Sequence, residues 1–228
     1  MLTAVVLKHV AIEGPGLFED ILRQRGIEYS IIDATKQAIP QADIILPMGG
    51  PMSVNDNYGW LKTELAAIGK HVDGGGYLFG TCLGAQLLAK AIGGAVEPAG
   101  IREVGSYEVE LTPAGLREPL FKGMGKSLKV LHWHGDTFRN LPNGAVVMAN
   151  GNGLKQAFKY KNAVGLQFHW EATMEMVKQW IDADEEYLKS VPTTREKVLR
   201  GFKENSEIYS SHLNGVFGRF LDVAADRQ

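Results

Sequence analysis

The sequence predicts an α/β fold with an open, mostly parallel sheet and helices on both faces. Short apolar runs alternate with stretches of helical periodicity over residues 2–92, a pattern typical of parallel strands joined by helices. A sharp strand-to-helix turn at residues 80–84 is the second observation, and a change to helical periodicity after the last strand is the third. We therefore predict an α/β domain at residues 1–172 and a helical extension at 173–228 that packs on it.

The first half of the chain gives four predicted strands. They cover residues 2–7, 27–32, 43–46 and 77–79. Helical stripes lie between them, with Leu17, Phe18, Ile21 and Leu22 in the first and Leu61, Leu65 and Ile68 in a later one. Ligands of open parallel sheets bind beyond the carboxyl ends of the strands, so the loops after residues 46 and 79 are expected at one edge.

From residue 101 the pattern changes to strands without long helices between them. The predicted strands cover residues 104–111, 128–133, 145–149, 156–160 and 163–168. This spacing predicts either antiparallel additions to the main sheet or a small side sheet.

Two helical stripes follow in the extension. One consists of Met176, Val177, Trp180 and Ile181, and the other of Leu213, Val216, Phe217, Phe220 and Leu221. Thr193 and Glu196 have the spacing of a capping box that opens the last helix. The stripes either pack against the sheet or form a docking surface for a partner or a second copy of the chain.

The sharp turn contains the only cysteine of the chain, in the segment Gly80-Thr81-Cys82-Leu83-Gly84. Glycine on both sides removes the Cβ atoms that would clash in such a turn. The first N–H groups of the following helix point toward the cysteine and favour a thiolate. The pattern matches a nucleophile elbow, and the alternative is a structural cysteine at a tight turn.

A general base for this nucleophile is predicted where the last strand ends. His169 and Glu171 are two residues apart, so a strand places both on one side, where the carboxylate can fix the imidazole tautomer. Together with Cys82 they form a candidate catalytic triad of nucleophile, base and orienting acid.

A glycine-rich loop follows the third strand. The Gly50 N–H, which no side chain obstructs, would join the Leu83 N–H in an oxyanion hole, the usual partner of an acyl-transfer nucleophile. Gly49-Gly50-Pro51 is also compatible with a simple turn.

A zinc site is a rival use of some of these residues. His132 and His134 have period-two spacing and could join His169 and Glu171 around a metal. The two pairs are far apart in sequence and match no compact metal motif, so no metal is expected. The other histidines are expected to be surface or packing residues: His9, His71 and His212.

Composition limits the partners and the compartment. A formal net charge of −2 and a pI near 6.3, without a basic run, predict no binding to nucleic acid. No segment has the length of a membrane span, and residues 2–7 are too short for the apolar region of a signal peptide. A single cysteine suits a reducing compartment, and the expected location is cytoplasmic.

Three ordered segments, residues 49–51, 80–86 and 167–171, resemble those of a class I, triad-type glutamine amidotransferase domain. Within this family the segments resemble the glutaminase half of GMP synthase and its free-standing homologues, including plant γ-glutamyl peptidases. The resemblance covers residues 40–175 and implies a flavodoxin-like fold.

The resemblance implies that Cys82 attacks the side-chain amide of glutamine and forms a γ-glutamyl thioester. His169 would protonate the departing ammonia and then activate water, while Glu171 orients His169. The N–H groups of Gly50 and Leu83 would hold the oxyanion.

The resemblance also implies a substrate site and a set of partners. Gln86 would contact the substrate, and His134, Gly135 and Asp136 resemble the segment that holds its α-amino and α-carboxylate groups. The expected ligand is glutamine or another γ-glutamyl compound, with no cofactor. The ATP-dependent synthase half is missing from the sequence, so an ammonia acceptor would be a separate subunit, and the chain could also form a homo-oligomer.

Two positions depart from the pattern of the family. Trp170 replaces the usual proline between histidine and glutamate, which suggests a reshaped pocket mouth, and Ala85 replaces a frequent histidine. The motifs predict a glutaminase or amidotransferase. A γ-glutamyl peptidase or hydrolase with the same triad, and a non-catalytic partner-binding subunit, remain as alternatives.

Overall fold

A nine-stranded sheet forms the centre of the computed structural model, which describes residues 1–226. Its strands are β1 (Thr3–Lys8), β2 (Glu28–Asp33), β3 (Ile44–Pro47), β4 (Tyr77–Thr81), β5 (Ala95–Leu111), β6 (Ser127–Arg139), β7 (Val146–Gly151), β8 (Leu154–Tyr160) and β9 (Ala163–Leu166). The helices are α1 (Leu17–Gln24), α2 (Gly59–Asp73), α3 (Leu83–Ala91), α4 (Pro113–Arg117), α5 (Met174–Ala183), α6 (Glu185–Lys189) and α7 (Arg195–Ala225), with a 3₁₀ turn at Pro119–Phe121.

The strand order is β2-β1-β3-β4-β9-β8-β7-β5-β6. The first five strands in this order are parallel to one another, and every pair from β9 to β6 is antiparallel. The predicted fold class, a mostly parallel α/β sheet of the flavodoxin type with a helical C-terminal extension, is confirmed. The later strands are antiparallel additions to the main sheet, and they do not form a separate side sheet.

Helices cover both faces of the sheet. On one face, α2 and α3 bury residues such as Ile68 and Leu87 against β1, β3 and β4. On the other, α1, α5 and α7 share one buried cluster with the sheet. Within it, the Phe18 ring meets the rings of Phe79 and Phe217 edge to face, with centroids 5.6 and 4.8 Å apart. Such geometry adds about 1 kcal/mol per pair beyond area burial.

The long helix α7 buries the apolar stripe predicted for it. Leu213, Val216, Phe217, Phe220 and Leu221 are all buried against the sheet and α1. The stripe is therefore covered within the chain and does not form a free docking surface. The last two residues of the predicted extension, 227–228, lie outside the described residues. No helix in residues 1–226 combines the length and apolar character needed to cross a membrane.

Several element boundaries differ from the prediction. The cap of α7 is Thr194, whose hydroxyl accepts from the Lys197 N–H at 3.3 Å, so the capping box predicted at Thr193 is one residue early. Strand β9 ends at Leu166, before the His169 segment, which a single bridge from His169 to Leu131 holds in place. The short helices α4 and α6 were not predicted, because five residues carry too little periodicity.

Trp170 lies away from the pocket mouth, so the expectation from its replacement of proline is wrong. Its side chain is fully buried, and its Nε1 donates to the Lys129 carbonyl at 2.9 Å. The ring packs against Phe168 and His212, with centroids 4.7 and 5.3 Å apart. Alternation of side chains along an extended segment explains this position, since residue 170 points opposite to His169 and Glu171.

Close approach of α3 to β3 gives the first testable prediction. A Cβ atom on Gly84 would lie 1.9 Å from the Pro47 carbonyl oxygen, so Gly84→Ala must displace backbone. We expect a loss of about 3 kcal/mol in the free energy of unfolding, measured by urea denaturation. The control is Gly59→Ala at the start of α2, where a Cβ meets nothing within 4 Å. Equal stability of the two variants would contradict this packing.

Candidate active site

Cys82 lies at the tip of the turn between β4 and α3. Its backbone has φ +50° and ψ −110°, a strained conformation for a residue with a Cβ. The turn is tight because a Cβ on Gly80 would lie 2.6 Å from the Gly84 carbonyl oxygen. The Cys82 N–H donates to the Leu166 carbonyl at 2.8 Å, which ties the tip to β9. The turn thus projects the thiol over the carboxyl edge of the sheet.

His169 and Glu171 lie beside this thiol. Glu171 Oε1 is 2.6 Å from His169 Nδ1, and both side chains are buried. The His169 N–H donates to the Leu131 carbonyl at 2.8 Å, and the Trp180 ring packs on the imidazole with a centroid distance of 4.7 Å. Burial lowers the pKa of His169, but Glu171 and Cys82 outweigh it and hold that pKa well above its usual range. The arrangement therefore favours an imidazolium facing the sulfur.

The glycine-rich loop after β3 lies between His169 and the start of α3. A Cβ on Gly50 would lie 2.7 Å from Leu83 Cδ2, so the loop packs closely on the start of α3. Within residues 1–226, the Gly50 N–H has no acceptor. The first N–H groups of a helix also lack partners inside the helix, and Leu83 is the first residue of α3. Free donors from two segments therefore flank the thiol.

The four residues predicted to contact substrate lie along the same cavity, which has a volume of about 1300 Å³. They are Gln86, His134, Gly135 and Asp136. Gln86 Nε2 donates to the Asp136 carbonyl and to Gln167 Oε1, both at 3.2 Å, so its amide also fastens α3 to β6. The Asp136 carboxylate accepts from the Ser53 hydroxyl at 2.8 Å, which joins β6 to the glycine-rich loop.

Comparison with known proteins agrees with this geometry. The family model for class-I glutamine amidotransferases matches residues 17–184. The chain belongs to this family. The glutamine amidotransferase-like protein YfeJ of Salmonella typhimurium is 32% identical over 226 residues, covering 94% of this chain and 93% of YfeJ.

Solved structures of family members share the whole fold. A glutamine amidotransferase from Thermotoga maritima is 29% identical with a TM-score of 0.86, covering 96% of this chain and 97% of its own. Another from Methylobacillus flagellatus is 29% identical with a TM-score of 0.89, and the match covers 97% of this chain and 95% of that one.

A longer protein matches over part of its length. The GMP synthase of Brachyspira hyodysenteriae is 34% identical over 144 residues, which is 61% of this chain and 26% of the synthase. The amidotransferase chain thus spans only about a quarter of that synthase.

Of the four residues considered for a zinc site, only His132 and His134 belong to a group with metal-ligand spacing, and Glu103 is its third member. In the part of the chain that the structure describes, the one group with metal-ligand geometry is Glu103, His132 and His134. Both carboxylate oxygens of Glu103 already accept amide protons, from Asn152 at 2.5 Å and Gln156 at 2.8 Å.

Charge states in this cluster fit a hydrogen-bond network. Burial lowers the pKa of His132 to about 3, so its ring is neutral. Burial would raise the pKa of Glu103, but His134 and His132 outweigh it and lower that pKa to about 2. An ionised Glu103 lies 3.0 Å from His134 Nε2 and holds the β6 segment that borders the cavity.

Three further residues line the cavity that the sequence motifs did not indicate. Glu13 follows β1, Arg102 lies at an irregularity of β5, and Tyr187 belongs to α6. Arg102 lies over the Tyr187 ring, with its Cζ 4.8 Å from the centroid, and donates to the Ser190 hydroxyl at 2.5 Å. For these residues the sequence offered one signal of a place in the cavity: Glu13 follows a strand that reaches the ligand-binding edge of the sheet.

Glu13 and His169 lie next to the same residue, Gly49. A Cβ on Gly49 would lie 1.9 Å from Glu13 Oε2 and 3.2 Å from His169 Cε1, so this amidotransferase needs glycine there. Burial raises the pKa of Glu13 to about 7, helped by Glu171 and opposed by His169 and His9. Glu13 therefore exchanges its proton near neutral pH.

Glu13 gives a pH-dependent prediction. Between its unfolded pKa and about 7, the folded protein holds a proton that the unfolded chain has lost, so the free energy of unfolding falls as pH rises through this window. Glu13→Gln removes this pH dependence. Relative to the native protein, its free energy of unfolding is expected to rise by on the order of 2 kcal/mol between pH 4 and pH 8.

Urea denaturation at a series of pH values measures the effect. Glu28→Gln, which removes an exposed carboxylate on β2, is the control for the loss of one charge. Native and Glu13→Gln stability curves that stay parallel across pH would contradict the burial of this carboxyl.

Proposed function

We propose that this protein hydrolyses the side-chain amide of glutamine through a γ-glutamyl thioester on Cys82 and releases ammonia for an acceptor. The observation that carries the proposal is the strained turn that places Cys82 in one cavity with the His169–Glu171 pair. Membership in the glutamine amidotransferase family supports the same class of substrate.

The steps follow from the positions of the donors and acceptors. The Cys82 thiolate attacks the amide carbon, and the N–H groups of Gly50 and Leu83 stabilise the oxyanion. His169 gives its proton to the departing nitrogen as the C–N bond breaks, which leaves the thioester and ammonia. His169 then takes a proton from water, whose oxygen attacks the thioester and releases glutamate and the thiol. Glu171 holds the imidazole in the orientation for both transfers.

The substrate's amino-acid group would lie toward β6, where Gln86, His134, Gly135 and Asp136 border the cavity. In the GMP synthases that match this chain, the matched region is about a quarter of a longer protein. We infer that the ammonia acceptor is bound by a separate synthase subunit.

A γ-glutamyl peptidase or hydrolase is the second candidate, and the size of the cavity favours it. Its volume of about 1300 Å³ exceeds the roughly 300–1,000 Å³ typical of small-molecule sites. Arg102 borders the cavity beside Gly135, where a Cβ would lie 3.5 Å from Arg102 Cγ, and its guanidinium has no carboxylate partner within residues 1–226. A leaving group with a carboxylate, such as an amino acid, would match this cation.

One experiment compares the two donors. Ammonia release from glutamine and amino-acid release from γ-glutamyl dipeptides are measured with the native protein, Cys82→Ala and Arg102→Gln. We expect Cys82→Ala to abolish both activities, since no other thiol exists in the chain. If glutamine is the donor, the native protein releases ammonia from glutamine, and dipeptides are poor substrates.

The opposite pattern identifies the second candidate. Turnover of dipeptides that falls about tenfold in Arg102→Gln, with little ammonia from glutamine, would show a peptidase that uses Arg102 for the leaving group. A native protein that turns over neither donor, although iodoacetamide alkylates Cys82, would contradict both and favour a non-catalytic binding subunit.

A further inference from the structure

His9, which has no role in the predicted mechanism, connects two segments of the chain. It follows β1, its side chain is fully buried, and its Nδ1 lies 3.1 Å from the Gly49 carbonyl oxygen. Its Nε2 lies 3.0 and 3.2 Å from the two carboxylate oxygens of Glu64 on α2. His9 is thus buried, as expected for a packing histidine, and it links α2 to the glycine-rich loop.

Both partners of His9 are acceptors. A carbonyl oxygen and a carboxylate cannot donate, so both ring nitrogens must carry a proton to satisfy both contacts. Burial lowers the pKa of His9, but the hydrogen bond and charge of Glu64 outweigh it and the pKa is raised. His9 and Glu64 thus form a buried imidazolium–carboxylate pair, and the Gly49 carbonyl accepts a hydrogen bond from the Nδ1–H.

The Gly49 carbonyl and the Gly50 N–H belong to one planar peptide unit. In a trans peptide these two groups point in opposite directions. Fixing the oxygen on His9 therefore fixes the direction of the Gly50 N–H, and Gly50 borders the cavity that contains Cys82.

Glycines need this external support, since their backbone is free to rotate. Side chains also leave little room around Gly50, where a Cβ would lie 2.7 Å from Leu83 Cδ2 and 3.3 Å from His9 Cβ. The Trp60 ring covers the outer side of the imidazole, with centroids 5.8 Å apart.

We propose that His9 is a positioning residue, held by Glu64, that orients the Gly50 N–H as an oxyanion donor by fixing the Gly49 carbonyl. The inference rests on the proposed amide hydrolysis, for which the oxyanion hole is required. Loss of the contact would lower kcat more than it changes KM, because the donor acts mainly on the charge that develops in the transition state.

Asparagine and glutamine separate the two contacts of His9. In His9→Asn the new amide nitrogen would lie near the place of Nδ1 and keep a donor for Gly49, whereas in His9→Gln it would lie near the place of Nε2 and that donor is lost. Both changes are made in a Glu64→Gln background, so that neither leaves a buried carboxylate unpaired.

We expect His9→Gln in this background to lower kcat by about 10- to 100-fold with KM nearly unchanged. His9→Asn should restore kcat to within about fivefold of the Glu64→Gln parent. A γ-glutamyl aldehyde, which forms a hemithioacetal with Cys82 and places its oxygen in the oxyanion hole, should lose affinity by a similar factor in His9→Gln only. Alkylation of Cys82 by iodoacetamide needs no oxyanion donor and should proceed at the same rate in all variants.

The inference is overturned if the asparagine and glutamine variants lose kcat and aldehyde affinity equally, or if neither loses them. If both variants lose kcat and aldehyde affinity equally, His9 and Glu64 only support the fold. Thermal denaturation would then show equal losses of stability in the two variants. A native protein that hydrolyses no γ-glutamyl amide would instead contradict the proposed function. In that case the affinity of the γ-glutamyl aldehyde for the His9 variants still tests the role of His9. Equal affinities of all variants would rule out a role of His9 in positioning the Gly50 N–H.

Discussion

The close contact of α3 with β3 and β4 is the constraint on which the site depends. Gly84 brings the start of α3 against the Pro47 carbonyl, and Gly80 lets the strand turn into the helix without a Cβ in the way. This geometry forces Cys82 into positive φ and brings the Leu83 N–H beside the loop that contains Gly50. A side chain at either glycine would separate the thiol from the N–H groups proposed as oxyanion donors. Local backbone strain is thus linked directly to the proposed chemistry.

The base reaches the thiol because the two halves of the sheet meet beside it. Strand β9 is parallel to β4 and antiparallel to β8, so the parallel and antiparallel halves join next to the turn. The segment after β9 crosses to β6, where the His169 N–H bonds to Leu131. The antiparallel half also supplies the His134–Asp136 segment. The helical extension contributes Trp180 against His169, and Tyr187, whose hydroxyl lies beside Gly135 in the cavity.

Sequence was sufficient for features that lie within one short segment. The strand-to-helix turn at Cys82 and the His169–Glu171 pair depend on residues a few positions apart, and the fold class follows from periodicity. His9 with Glu64, and Glu13 with His169, meet only because separate loops converge at the sheet edge, so spacing could not reveal them. For Trp170, the sequence showed an unusual residue but not where its side chain lies. Its substitution for proline was visible, but its burial beneath α7 depends on which side of the extended segment faces the core.

Capture of the covalent intermediate tests the account most directly. Native protein is mixed with glutamine or a γ-glutamyl dipeptide, quenched in acid during turnover, and analysed by intact mass and peptide mapping. The account predicts one γ-glutamyl group on Cys82 during turnover. It is absent from Cys82→Ala, which lacks the nucleophile, and from His169→Asn, which lacks the proton donor for the leaving nitrogen. Turnover by the native protein without any adduct on Cys82, or with an adduct on another residue, would contradict the central claim.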